Sequence, residues 1–470
     1  MRIAGSYGKH IFFIRVLLRQ MIIRACSTLL LLIAVSTASA QTYYVSAPNG
    51  SGKADGSSAD NAAADLSDFN WRRFDTLLLN RGTTLAVPLP GQSNRVYGKL
   101  QPNGNHVANV RLGAYGEGAL PIIRGDLGSD YSRGWRANKD GTWSRKVQCS
   151  AGVTFYEGLP LDYYDFQVKG WQGMLAQSDG GYAHESAESC KLRVKLPSDA
   201  SPNDGGVTVA EIAIGLEPAG NMLDGLVVED VRFQGFSRQG INLRTVKNAL
   251  VQNTEVFWTG GDVTPKYELG GGIQIGRNVD GAIVRNNLVS NVWDSPISPQ
   301  LPSNQADSTI RNVEIYDNTI RGGWALAGIE VAIWNSRGII DGVVIRNNDI
   351  EWQPGFANVG DGPDGPLCMI FNGMKRHING TRMLNIEVRD NVCRNTPAGG
   401  IEVFNIRTGK GDSGIRIANN TMENVGNGGP RGRSGPGQVA VRGEYEVRNT
   451  VDGSVDQVVT VDGQILSPTD

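Results

Sequence analysis

Through the middle of the chain, short aliphatic runs alternate with polar positions, and each run closes on a pair rich in Asn and Asp. VVEDVRF from Val227, LVQNTEV from Leu250, IVRNNLV from Ile283, EIYDNTI from Glu314, VIRNNDI from Val344, EVRDNVC from Glu387 and RIANNTM from Arg416 are seven copies of one phrase. Equivalent aliphatics (Val228, Val251, Val284, Ile315, Ile345, Val388, Ile417) lie 23, 33, 31, 30, 43 and 29 residues apart. That spacing is too irregular for a helical repeat of fixed packing and natural for coils of strands with variable loops. A second set of strands accompanies the first: GINL at Gly240, GGIQIG at Gly271, SPIS at Ser295, GIEVAI at Gly328 and GIEVFN at Gly400. Two or three short strands per turn predict a parallel β-coil in which strand stacks on strand. Asn287, Asn318, Asn348, Asn391 and Asn420 recur at one corner. There Asn tolerates left-handed backbone, and its amide can bond the Asn of the next coil.

In this pattern, over most of residues 43–425, the chain resembles the right-handed parallel β-helix superfamily of secreted bacterial carbohydrate-active proteins, which includes polysaccharide lyases and glycoside hydrolases. TYYVSAPNGSGKADGSSADNA, FDTLLLNRGTTL and VRLGAYGEGALPIIRG look like the capping entrance and first coils of such proteins. DGTWSRKV, GVTFYEGLPL, KLRVKLPSDASPNDGGVTVA and IAIGLEPAG are similar to the small β-module often inserted before the main coils. The expected fold is all-β: a right-handed parallel β-helix with an inserted β-module near its N-terminal end. The expected organisation is cap and first coils over 41–128, module over 129–218, main coils over 219–425, and strands with a partly loose tail over 426–470. A short helical piece near Asp65 to Phe74 would cap the open end of the solenoid.

Residues 1–40 carry five basic residues, no acid, the run LLLLIAV and an Ala38-Ser39-Ala40 site, the form of a secretory signal. A start at Met21 gives the same signal in compact form. Its removal leaves 40 basic against 47 acidic residues, a net charge of −7. No basic tract supports nucleic-acid binding, and no later segment is apolar enough to span a membrane. The expected mature protein is a secreted or periplasmic monomer. Its four cysteines, Cys149, Cys190, Cys368 and Cys393, permit two disulfides, expected as 149 with 190 and 368 with 393. Three scattered histidines and no C-x-x-C spacing argue against a zinc site.

With the aliphatics inward, alternation puts Asn242, Gln274, Ser298, Glu330 and Glu402 on the outer face of one sheet, the strand CMIF standing between the two glutamates. Strands stack roughly 4.8 Å apart, so these carboxylates stand roughly 9.5 Å apart, near the upper end of the spacing for an inverting glycosidase. Asp294, one coil from Glu330, could supply the closer pair of a retaining enzyme. Candidate substrate-binding residues are Asn242, Arg244, Lys266, Tyr267, Gln274, Arg277, Trp293, Gln300, Trp334, Asn372 and Arg407, with Asp262 and Glu268 on the same loop as Lys266. Rings, amides and carboxylates along one sheet suit a sugar chain in a groove, its C–H faces on rings and its hydroxyls in paired hydrogen bonds. Hydrolysis would use Glu330 with Glu402 or Asp294 as acid and base or nucleophile, with no cofactor. β-Elimination of a uronic-acid polymer would need a base and a cation, and the resemblance implies Ca²⁺ for the latter. Only Asp361 and Asp364 lie close enough in sequence to suggest such a site. The lack of a dense basic stripe favours hydrolysis. A non-catalytic glycan-binding or adhesin solenoid would present the same groove.

Overall fold

The computed structural model describes residues 41–424 apart from 48–49, 51–52, 67, 88–99, 106–107, 128–129, 164–174, 176–179, 187–188, 198–199, 263–269, 302–307, 324–325, 335–337, 354–365, 374–381, 405–414, and adds the strand residues 439–442, 451–452, 459–461 and 464–466. The expected signal at 1–40 lies outside these residues.

The chain winds as a right-handed parallel β-helix with three long sheets of 11, 9 and 10 strands, here A, B and C. One coil contributes Leu223–Glu229 to A, Arg232–Gln234 to B and Gln239–Leu243 to C, and the next repeats the order with Val246–Gln252, Glu255–Thr259 and Gly271–Ile275. The seven aliphatics aligned by sequence are neighbours in sheet A, Val228 to Val251 and onward to Ile417. All seven are fully buried. Each stacks on the same position of the coils before and after it, so the one hydrophobic core is built of continuous aliphatic columns.

Two polar ladders set the corners. At the turn from A to B, Asn287 Nδ2 donates to Asn318 Oδ1, Asn318 to Asn348, Asn348 to Asn391 and Asn391 to Asn420, each at 2.9 Å. The same amides donate to the carbonyls of Val251, Val284, Ile315, Ile345 and Val388. The left-handed residue is the one before each ladder Asn: Asn286, Asp317, Asn347, Asp390 and Asn419, with φ of 53–55°. Turning there directs the following side chain into the stack, so one Asn bends the backbone and the next supplies the hydrogen bonds.

The second ladder has a period of two coils. Asp224-Gly225, Asp280-Gly281 and Asp341-Gly342 alternate with Asn248, Asn312 and Asn385, whose Nδ2 atoms donate to the preceding Asp at 2.8, 2.7 and 2.7 Å. All these Asn and Gly residues have positive φ. A Cβ at Gly281 would sit 3.2 Å from Asn248 Oδ1, and one at Gly225 only 2.6 Å from Asn109 Oδ1. Conformation favours glycine at both positions, and at Gly225 space requires it as well.

The inserted module occupies one turn of the solenoid. In that coil sheet A holds Val110–Tyr115, sheet B holds Ile122–Arg124 and sheet C resumes at Ile214–Leu216, so the insertion replaces a turn from B to C. Ile214–Leu216, expected within the module, pairs instead in parallel with Gln239–Leu243. The module has an antiparallel four-stranded and a three-stranded sheet and a core of its own. It packs on the equivalent turns of the following coils: a Cβ at Gly152 would meet Gly260 O and Ser237 Cα, and Phe155 meets Trp258 edge-on at 5.9 Å.

Asp65–Phe74 closes the N-terminal end by turns rather than a helix. Phe69, Trp71 and Phe74 are buried, and Phe69 and Phe74 pack against Tyr43. Ring packing over the first coil does the capping, so no helical period was needed. Beyond residue 425 the coils continue: Val439–Arg442 and Val459–Val461 extend sheet C, Val451–Asp452 extends A, and Gln464–Leu466 ends C antiparallel. Cys149 pairs with Cys190 inside the module, and Cys368 of sheet C with Cys393 of sheet B on the following coil. Among the described residues no helix is long and apolar enough to cross a membrane.

Candidate functional site

Sheet C carries a continuous outward stripe. Asn242 pairs with Gln274 and Gln274 with Ser298; the pairing of Ile297 with Ile329 sets Ser298 beside Glu330; Glu330 then pairs with Ile370 and Ile370 with Glu402. The two glutamates therefore stand two rungs apart as the alternation predicts, about 9.5 Å by strand spacing. Inward neighbours Ile329, Val331, Ile401 and Val403 hold these strands in the core.

Glu330 is outward yet only 1% exposed. Ser295 Oγ donates to its Oε2 at 3.1 Å, while Oε1 is buried without a hydrogen-bond partner. Burial pushes the carboxyl up from 4.5 to about 7, opposed by the hydrogen bond from Ser295, which favours the charged form. That donor is neutral, so desolvation wins. A neutral carboxylic acid held at this pH with one oxygen uncommitted is suited to donating a proton. Glu402 is half-buried on the same face.

The stripe is cross-linked by amides. Gln274 Nε2 donates to Gln300 Oε1 at 3.0 Å, and Asn242 Nδ2 donates to Glu217 Oε2 at 2.8 Å. Glu217, which the sequence reading overlooked, is 2% exposed and pairs at 3.0 Å with Arg244, so that cation is already matched by a buried anion. Glu217 follows Ile214–Leu216 directly, and assigning that strand to the module hid its place beside Asn242. Arg277 is half-buried on the turn leaving the next rung, its carbonyl accepting from Thr245 N. Asn372 and Trp334 are half-buried towards the strand ends.

Trp293 is a correction. Proposed from sequence as a sugar platform, it is fully buried and its ring lies 4.0 Å from that of Tyr163, within the module's core. Its face is spent on docking the module. Asp262 is likewise fully buried, paired with Arg238 and close to buried His184, whose pKa burial lowers from 6.5 to about 4. Asp294 follows Trp293, is half-buried, and its N–H donates to Gly270 O at 2.7 Å. The module thus abuts the edge of sheet C where the turn bearing Ser295 leads into Ile297–Leu301. Lys266, Tyr267, Glu268, Asp361, Asp364 and Arg407 lie outside the described residues. Among the described residues no group of three or more His, Cys, Asp or Glu could hold a metal ion.

No protein-family model and no curated protein sequence matches this chain. Among solved structures it is similar to one described as a glycoside hydrolase, at 10% identity over 90% of this chain and 96% of the other, with a TM-score of 0.50. It is also similar to a complex of XylC with xylose (11% identity, 88% and 76% covered, TM-score 0.43). A third is a GH136 lacto-N-biosidase from Eubacterium ramulus (15% identity, 86% and 67% covered, TM-score 0.39). At these identities the likeness is one of fold.

Proposed function

We propose that this chain is an exported, monomeric glycoside hydrolase that cleaves a polysaccharide lying along the outer face of sheet C. Glu330 acts as general acid and Glu402 as the second carboxylate. The observation that carries the reading is the buried, raised carboxyl of Glu330, with one oxygen unpaired, on the outward stripe of the sheet. A core acid would face inward, and an ordinary surface acid would be solvated and ionised. The likeness in fold to a glycoside hydrolase supports the reaction class.

In the proposed step Glu330 gives its proton to the glycosidic oxygen as the bond to the leaving sugar breaks. Glu402, roughly 9.5 Å away, takes a proton from a water that attacks the opposite face of the ring, which inverts the anomeric centre. Asn242, Gln274 and Asn372 offer amides to hydroxyls along the groove, and Asn242 Oδ1 has no hydrogen-bond partner of its own. The two disulfides support export into an oxidising compartment. Incubation with a panel of neutral and acidic polysaccharides tests the reading. New reducing ends without ultraviolet absorbance support hydrolysis, both signals together mean elimination, and binding without either means a glycan-binding solenoid.

A further inference from the structure

One turn joins the inserted module to the Glu330 carboxyl. Trp293, Asp294 and Ser295 lie on the chain between Leu288–Val292 of sheet B and Ile297–Leu301 of sheet C. Backbone hydrogen bonds fix all three: Trp293 N–H donates to Thr259 O at 2.9 Å, Asp294 N–H donates to Gly270 O at 2.7 Å, and Ser295 O accepts from Gly272 N–H at 3.3 Å. The Trp293 side chain is held as closely, since a Cβ at Gly260 would sit 2.2 Å from Trp293 Cβ and one at Gly270 2.5 Å. Its ring then meets that of Tyr163 in the module's core at 4.0 Å. Two residues on, the buried Ser295 hydroxyl donates to Glu330 Oε2 at 3.1 Å.

A protonated carboxyl carries its proton on one oxygen and accepts on the other. With Ser295 donating to Oε2, the proton belongs on Oε1, the oxygen without a hydrogen-bond partner. On the premise that Glu330 is the reacting acid, we propose that Ser295, set in place by the docked module through Trp293, is a positioning residue that makes Oε1 the oxygen from which the proton leaves. A hydroxyl on a turn fixed by its own backbone does not follow the carboxyl as it rotates, so the bond restrains Glu330 to one pose. The module thereby acquires a task at the site although none of its residues touches Glu330 in the hydrogen bonds described. The strands on either side of Glu330, ISPQL and LCMIFNG, carry no charged residue. Asp294, ahead of the first, and Glu402, one rung beyond the second, are kept in every variant below.

The test is a double-mutant cycle on the full chain, read from unfolding free energy against pH, each variant compared with its own Glu330→Gln counterpart so that only the titration of Glu330 remains. Ser295→Ala removes the donor and should raise the Glu330 midpoint by about one pH unit, a tenfold change in proton affinity. Ser295→Thr keeps the hydroxyl and should leave the midpoint near that of the wild type. Trp293→Leu and Tyr163→Leu give up the ring contact from either side of the seam, so one serves if the other fails to fold. Each should raise the midpoint by less than Ser295→Ala does and add nothing in the Ser295→Ala background. On a polysaccharide that the wild type cleaves, Ser295→Ala should lower kcat about tenfold with KM unchanged, a split that loss of binding would not give. The proposal is overturned if Ser295→Ala leaves the midpoint unchanged, if Ser295→Thr matches Ser295→Ala, or if the seam variants have no effect or act equally with and without Ser295. Because the first readout is titration, the positioning can stand while the catalytic reading fails: glycan cleavage untouched by Glu330→Gln would sink the latter alone.

Discussion

Replacing Glu330 with Gln keeps the shape of the side chain and removes its ionisation, so the pH dependence of the substitution measures what burial costs the charge. The carboxyl titrates near 4.5 when exposed and near 7 in the fold. At about 1.36 kcal/mol per tenfold change in proton affinity, the charged form is disfavoured in the fold by roughly 3 kcal/mol. The sign follows from a raised acid: stability relative to the variant is full below pH 4.5 and falls as pH rises through 7, because the unfolded chain ionises first. Glu330→Gln should therefore match the wild type near pH 4 and exceed it by about 3 kcal/mol above pH 7.5. With an unfolding entropy on the order of 1 kcal/mol/K for a chain of this length, the melting temperature should rise by about 3 °C at high pH and not at low pH. Urea unfolding at half-unit steps from pH 4 to 8 supplies the curve. His184, depressed to about 4, contributes the opposite slope between pH 4 and 6.5, losing stability as pH falls, but it is common to both proteins and cancels in the difference. A difference that stays flat across the range would refute the burial argument.

Other consequences can be checked separately. Asn318→Ala leaves the Asn287 backbone N–H, the Asn287 amide and the Val284 carbonyl without their Asn318 partner and should cost about 3 kcal/mol, read by urea unfolding. Ile329→Asp or Ile401→Asp sets a charge in an aliphatic column and should leave no cooperatively folding protein by circular dichroism. If Glu330 is the acid, kcat/KM should decline above pH 7 as its proton is lost.

The fold was legible because its determinants are local and repeated. The column from Val228 to Ile417 and the stripe from Asn242 to Glu402 depend only on alternation and register, and both are in the predicted partnership. What alternation does not encode is which neighbour an insertion brings. Trp293 lies on a turn of irregular length, and only the module folded against it decides that its ring is buried. Glu217 was missed for the converse reason: its strand follows the insertion in sequence but belongs to the coil that preceded it. The burial of Glu330 was equally invisible, since an alternating pattern marks a side chain as outward without saying what covers it.

In the proposed mechanism Glu330 delivers the proton to a breaking glycosidic bond. The most direct measurement is the single-turnover cleavage rate of wild type and Glu330→Gln on a polysaccharide that both bind, with affinity measured in parallel. Glu330→Gln should lose several orders of magnitude in rate at unchanged affinity, since the amide keeps the contacts and cannot give up a proton. A variant that cleaves as fast as the wild type would contradict it.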